Sequence, residues 1–114
     1  MKVPNAASAV VEEGKVRDYL LSSNHPVGRY KAQFFGNLGY DQESWRRLAL
    51  DLRAILANEV SKIVEIDYGT KYMVLGEVIA SDGTATNVIT VWIILTDEDA
   101  PRLVTAYPGE RDEA

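Results

Sequence analysis

The hydrophobic residues of this 114-residue chain change period once, near residue 59. Before that point they recur at helical spacing, and after it they alternate as they do in strands. Trp45, Leu48, Leu52, Ile55 and Leu56 form one stripe of a helix from Gln42 to about Asn58, with Asp41 as its N-cap. Tyr30, Phe34 and Leu38, at i, i+4 and i+8 with Phe35 beside them, predict a shorter helix over Gly28–Leu38. Glu12 to Leu21 reads as a further helix, with Val16, Tyr19 and Leu20 on one side. Gly14 weakens it by roughly 1 kcal/mol relative to alanine. Residues 1–8 look irregular, with Ala9-Val10-Val11 extended.

Four strands follow: Lys62–Asp67, Lys71–Ala80, Asn87–Leu95 and Arg102–Tyr107. Tyr68-Gly69-Thr70 and Asp82-Gly83 turn the chain between them, and Pro108-Gly109 ends the last. Asn87–Leu95 is almost continuously apolar, which predicts a central strand covered by the helices. The expectation is an α+β fold, with N-terminal helices packed on one face of a four-stranded antiparallel sheet. One domain spans 1–114: a helical part over about 9–58, a sheet part over about 62–107 and a charged tail at 109–114.

Composition narrows the classes. Hydrophobic residues make up 46% and charged residues 25%, as in a folded water-soluble domain. There is no cysteine, so thiol chemistry, disulfides and thiolate metal sites are excluded. One histidine cannot supply the usual zinc sets, and Asp97-Glu98-Asp99 lacks calcium-loop spacing. No metal or cofactor is therefore expected. Val88–Leu95 is too short to cross a bilayer and no signal-peptide run opens the chain, so a cytoplasmic setting is expected.

Net charge is −5, against a broad nucleic-acid-binding surface. The two halves differ, however. Residues 1–57 carry eight Lys/Arg against six Asp/Glu, whereas residues 58–114 carry four against eleven. A local cationic site therefore fits the N-terminal half. His25-Pro26 and Gly28 set a loop before the second helix, and Arg29 and Lys31 put two cations in its first turn, a placement that suits an anion.

Lys15…Tyr19-Leu20-Leu21…His25-Pro26…Gly28-Arg29…Lys31-Ala32…Phe34-Phe35…Gly39-Tyr40 resembles a family of short bacterial domains of unknown function. So do Tyr68-Gly69-Thr70-Lys71-Tyr72, Thr90-Val91-Trp92 and Pro101 to Pro108. The resemblance spans about Pro4 to Pro108. More distantly, the layout is similar to toxin nucleases of the barnase-like and RelE-like superfamily, which cut RNA without metal. Domains of this kind occur free-standing and at the C-termini of polymorphic toxins, beside a small neighbouring reading frame. The resemblance thus implies metal-independent ribonuclease activity restrained by a small cognate antitoxin.

Such chemistry needs an acid and a base for the 2′-hydroxyl and the leaving oxygen, and cations for the phosphorane. The candidate catalytic residues are His25, Lys31, Thr105 and Tyr107. Lys15 and Arg29 are candidate phosphate contacts, and Tyr68, Lys71 and Arg102 candidate RNA contacts. Thr105 and Tyr107 share a face of the last strand with Leu103, and Thr90 shares a face of the central strand with Trp92. If the two faces coincide on the open side, they make a hydroxyl floor with an aromatic for a base. Arg102 points the other way unless a bulge intervenes. The alternative is a non-enzymatic immunity, antitoxin-like or adaptor module, which the acidic balance also fits. Convergence of His25, Lys31 and the Thr105/Tyr107 face separates the two.

Overall fold

The structure is a computed structural model and describes residues 1–109. The expected charged tail from Glu110 onward lies outside the described residues. Helix α1 (Glu13–Lys15) continues directly into a π turn over Val16–Leu20, closed by Leu21 N–H donating to the Val16 carbonyl. Helix α2 is Arg29–Asn37 and helix α3 is Trp45–Ala54, flanked by 3-10 turns at Gln42–Ser44 and Ile55–Ala57. Asp41 caps as its side chain predicts: its carboxylate accepts from the Ser44 N–H, and Ser44 Oγ accepts from the Asp41 N–H.

The strands are β1 (Val60–Ile66), β2 (Gly69–Ile79), β3 (Ala85–Leu95) and β4 (Arg102–Pro108), in the order β1-β2-β3-β4 and all antiparallel. Each strand begins within two residues of the expected position. Val10 makes one parallel bridge to Arg102, so the short extended piece covers the start of the β4 edge.

The helices lie on one face of the sheet. Phe35, Leu20, Leu48, Leu52 and Val16 from the helices meet Trp92, Val88, Val74 and Ala106 from the strands, all fully buried. Each such large side chain stabilises the fold by about 1.5–3 kcal/mol. Gly76 lets the turn after α3 approach the sheet closely: a Cβ there would stand 2.7 Å from the Ile55 side chain. In α2 the buried centre is Phe35, while Tyr30 is 67% exposed. The expected stripe through Tyr30 was therefore set too far round the helix; its inner side is fixed by Phe35, with Phe34 and Leu38 half-buried beside it.

A bulge at Val104 decides what β4 presents. Trp92 pairs with Leu103, but Val91 pairs with Thr105, so one extra residue sits in β4. Leu103 and Ala106 consequently face the helices, and Thr105 and Tyr107 stand in the rows of Val91 and Ile89 instead; β4 is the edge strand that α1 and α2 lie against, so Thr105 still meets the helical side at that edge. The expected shared face of Leu103 with Thr105 and Tyr107 is corrected by this inserted residue. Arg102, paired with Ile93, falls on the same side as Thr105 for the same reason.

Candidate active site

Tyr19, on the π turn, is where the candidate residues meet. Its hydroxyl lies 3.4 Å from the Thr105 hydroxyl, across 86 residues of sequence. The His25 ring packs edge-on against its ring at 5.0 Å. Two ammonium groups sit over that ring, Lys15 at 5.2 Å and Lys31 at 5.5 Å from the centroid. The four elements that supply the group touch one another: α1 runs into the π turn, α1 and α2 both lie against β4, and α2 lies against the π turn.

Local chemistry explains the placement. His25 Nδ1 accepts from the backbone N–H of Val27 at 3.1 Å and of Gly28 at 3.0 Å, and its carbonyl accepts from Arg29 N–H at 3.0 Å. The imidazole thus acts as a cap for the loop entering α2. With Nδ1 engaged as an acceptor twice, the proton of the neutral ring sits on Nε2. Gly28 then packs directly on the site: a Cβ there would be 2.0 Å from the Tyr19 carbonyl oxygen. Only glycine lets the α2 entrance lie flat on Tyr19.

The environment perturbs the phenol. Burial pushes the Tyr19 pKa up, but the Thr105 hydroxyl and the Lys31 and Lys15 ammonium groups pull it down, and the net is below its ordinary 10.0. The two ammonium groups over the ring and the hydroxyl on its oxygen thus favour the phenolate relative to an isolated tyrosine.

The other candidates distribute differently. Thr90 and Trp92 are fully buried on the helix side. The Thr90 hydroxyl donates to the Val74 carbonyl at 3.0 Å and accepts from Trp92 Nε1 at 2.8 Å, so both residues are spent on the core. The expected floor of Thr90, Trp92, Thr105 and Tyr107 therefore does not form, because the bulge sets Thr105 and Tyr107 out of the row of Thr90. Tyr107 is half-buried, one row along from Thr105. Arg102 is occupied by acids: it donates to Glu98 at 2.8 Å and to Glu12 at 3.3 Å, which raises its pKa. It ties α1 to β4 rather than standing ready for RNA. Tyr68 is exposed in the β1–β2 turn and Lys71 half-buried just after it, with β3 between them and β4. Arg29 and Tyr30 are exposed on α2, with Arg29 donating to the Tyr30 hydroxyl at 2.9 Å. Among the described residues no three His, Asp or Glu side chains gather as a metal site needs.

The sequence reading put Tyr19 on the apolar side of its helix and missed it as a site residue. A signal was there: Lys15 and Tyr19 stand four apart, on one side of a helical turn, six residues before His25.

The family described as "Domain of unknown function (DUF6883)" matches residues 2–110, nearly the whole chain. The chain belongs to the DUF6883 family. The Lys15–Tyr19–His25–Lys31 group and Thr105 all fall within the matched span of this DUF6883 domain. No curated protein matches it in sequence. Among solved structures, it is similar to a chain of a "Contact-dependent growth inhibition toxin - immunity protein complex from Klebsiella pneumoniae 342". The TM-score is 0.71 at 20% identity, over 94% of this chain and 98% of that one. At that identity the likeness is one of fold.

Proposed function

We propose that this DUF6883 domain is a metal-independent ribonuclease of the bacterial toxin type, held in check by a small cognate protein. The observation that carries the reading is the meeting of Tyr19, Thr105, His25, Lys15 and Lys31. These are a phenol of lowered pKa, a hydroxyl, an oriented ring and two cations, drawn from both ends of the chain. The fold shared with a chain from a growth-inhibition toxin–immunity complex supports the toxin setting. Tyr19 as phenolate takes the proton of the RNA 2′-hydroxyl, and O2′ bonds to the adjacent phosphorus. The bond from phosphorus to the 5′-oxygen breaks, and that oxygen takes a proton from the Lys31 ammonium. Lys15 and Lys31 balance the charge of the phosphorane. His25, capped through Nδ1, serves as a hydrogen-bond donor from Nε2, and the acid–base work passes to Tyr19 and Lys31. The products are a 2′,3′-cyclic phosphate and a 5′-hydroxyl.

A second reading, an immunity or adaptor module without catalysis, rests on the charge of residues 58–114, which suits a basic partner.

The test is cleavage of several RNA classes in EDTA. The rate of the wild type should rise with pH and level off at a midpoint below 10, where the lowered Tyr19 phenol ionises. Tyr19→Phe should lose that rise and about 10²–10⁴ in rate, the usual range for an acid or base. Absence of cleavage of every RNA, or a Tyr19→Phe rate equal to wild type, overturns the ribonuclease.

A further inference from the structure

Beside the Tyr19 group, on the far flank of α2, a groove of about 510 Å³ opens between α2 and the residues on either side of it. Leu21 and Tyr40 give it apolar wall, Gln33 and Asp41 polar wall, and Arg29 and Tyr30 form its rim. The Tyr30 ring is 67% exposed and has Arg29 against it. Arg29 donates to its hydroxyl at 2.9 Å and holds its guanidinium carbon 4.8 Å from the ring centroid. Successive helical residues are about 100° apart, so Tyr30 forms a ridge with Lys31 on one flank and Arg29 on the other. The site and the groove are therefore separated by one helix width, about 10 Å.

We infer that the Arg29–Tyr30 rim and its groove bind a nucleobase and phosphate of single-stranded RNA next to the bond cut at Tyr19. This rests on the ribonuclease proposed above and adds the form of its substrate. An aromatic ring open to solvent offers a face on which any base can stack. The guanidinium beside it can take the neighbouring phosphate in a two-pronged contact. Gln33, facing the groove, has both a donor and an acceptor for a base edge. An RNA strand that crosses the Tyr30 ridge thus meets a cation on each side, Arg29 and Lys31. Duplex RNA, whose bases are stacked on one another, cannot use the ring.

The probe is a short, fluorescein-labelled single strand of 2′-O-methyl RNA, which lacks the attacking hydroxyl and so reports binding alone. Fluorescence anisotropy at low salt should show binding by the wild-type domain. Tyr30→Ala should weaken it about five- to 150-fold, the span of one lost base stack. Tyr30→Phe should bind within about twofold of wild type, because the ring carries the contact. Arg29→Gln should weaken binding and flatten its salt dependence, as removal of a phosphate contact does. Thermal melts check folding, which both exposed positions should leave intact. No binding by wild type, equal binding by Tyr30→Ala, or a Tyr30→Phe loss as large as that of alanine overturns the inference. The two readings fail separately. If Tyr30→Ala loses the probe but wild type cuts no RNA, the subsite stands and the ribonuclease falls. If wild type cuts RNA and Tyr30→Ala binds the probe normally, the subsite falls.

Discussion

Thr90→Val isolates the buried polar link between β2 and β3. The substitution keeps shape and exchanges a hydroxyl for a methyl. It removes two hydrogen bonds from a residue with no exposed surface, the 3.0 Å bond to Val74 and the 2.8 Å bond from Trp92 Nε1. Stranding the buried indole N–H costs about 1–3 kcal/mol, and losing the bond to Val74 about 0.5–1.5 kcal/mol. The added methyl returns up to about 0.8 kcal/mol. The net loss centres near 2–3 kcal/mol, or roughly 8–12 °C in Tm for a domain of this size. Urea unfolding followed by tryptophan fluorescence gives the number, as a lower midpoint at unchanged m. Thr90→Ser, which keeps the hydroxyl, should lose only about 1 kcal/mol, the worth of one buried methyl. A valine variant as stable as wild type, or less damaged than serine, would refute the reasoning. The same protein also tests the site assignment. Well below its melting point Thr90→Val should cut RNA at the wild-type rate, whereas a floor role for Thr90 requires a large fall.

Two further outcomes follow from contacts described above. Gly28→Ala puts a methyl 2.0 Å from the Tyr19 carbonyl, so the α2 entrance must move. RNA cleavage should fall at least tenfold while β-sheet circular dichroism persists, and an unchanged rate contradicts the placement of α2. Tyr40→Phe removes the 2.6 Å bond that the phenol donates to the Asp51 carboxylate. Burial, then Asp51, hold that phenol protonated well above its ordinary range, so the loss of about 1.5–3 kcal/mol should be constant from pH 6 to 9. A loss that varies across that window means Tyr40 titrates there.

Most of the fold was legible in the pattern of apolar positions, because long stripes such as Leu48-Leu52-Ile55 admit only one helical face. The strands were legible too, since turns at Asp67-Tyr68 and around Gly83 punctuate alternating runs. What could not be read was the register of β4. A one-residue bulge leaves no mark in the alternation of Leu103-Val104-Thr105-Ala106, yet it moves Thr105 out of the row of Thr90. The candidate site was half legible. His25, Lys31 and Thr105 were named from their chemistry and do meet. Tyr19, the residue they meet on, was hidden because an aromatic on a helical stripe reads as core. The pairing of Arg102 was not legible, because Glu98 stands four residues before it in a loop and Glu12 lies at the other end of the chain.

The bond between Tyr19 and Thr105 joins the first helical turns to the last strand. During synthesis everything else in the group has left the ribosome long before β4 is made. A nascent or truncated chain that stops short of Thr105 therefore carries the phenol, the imidazole and both lysines, but not the hydroxyl or the strand that gathers them. The group is complete only once β4 has joined the sheet, so any activity it has should report completion of the whole domain. Under the function proposed above, a restraining partner has until the final strand docks to be in place.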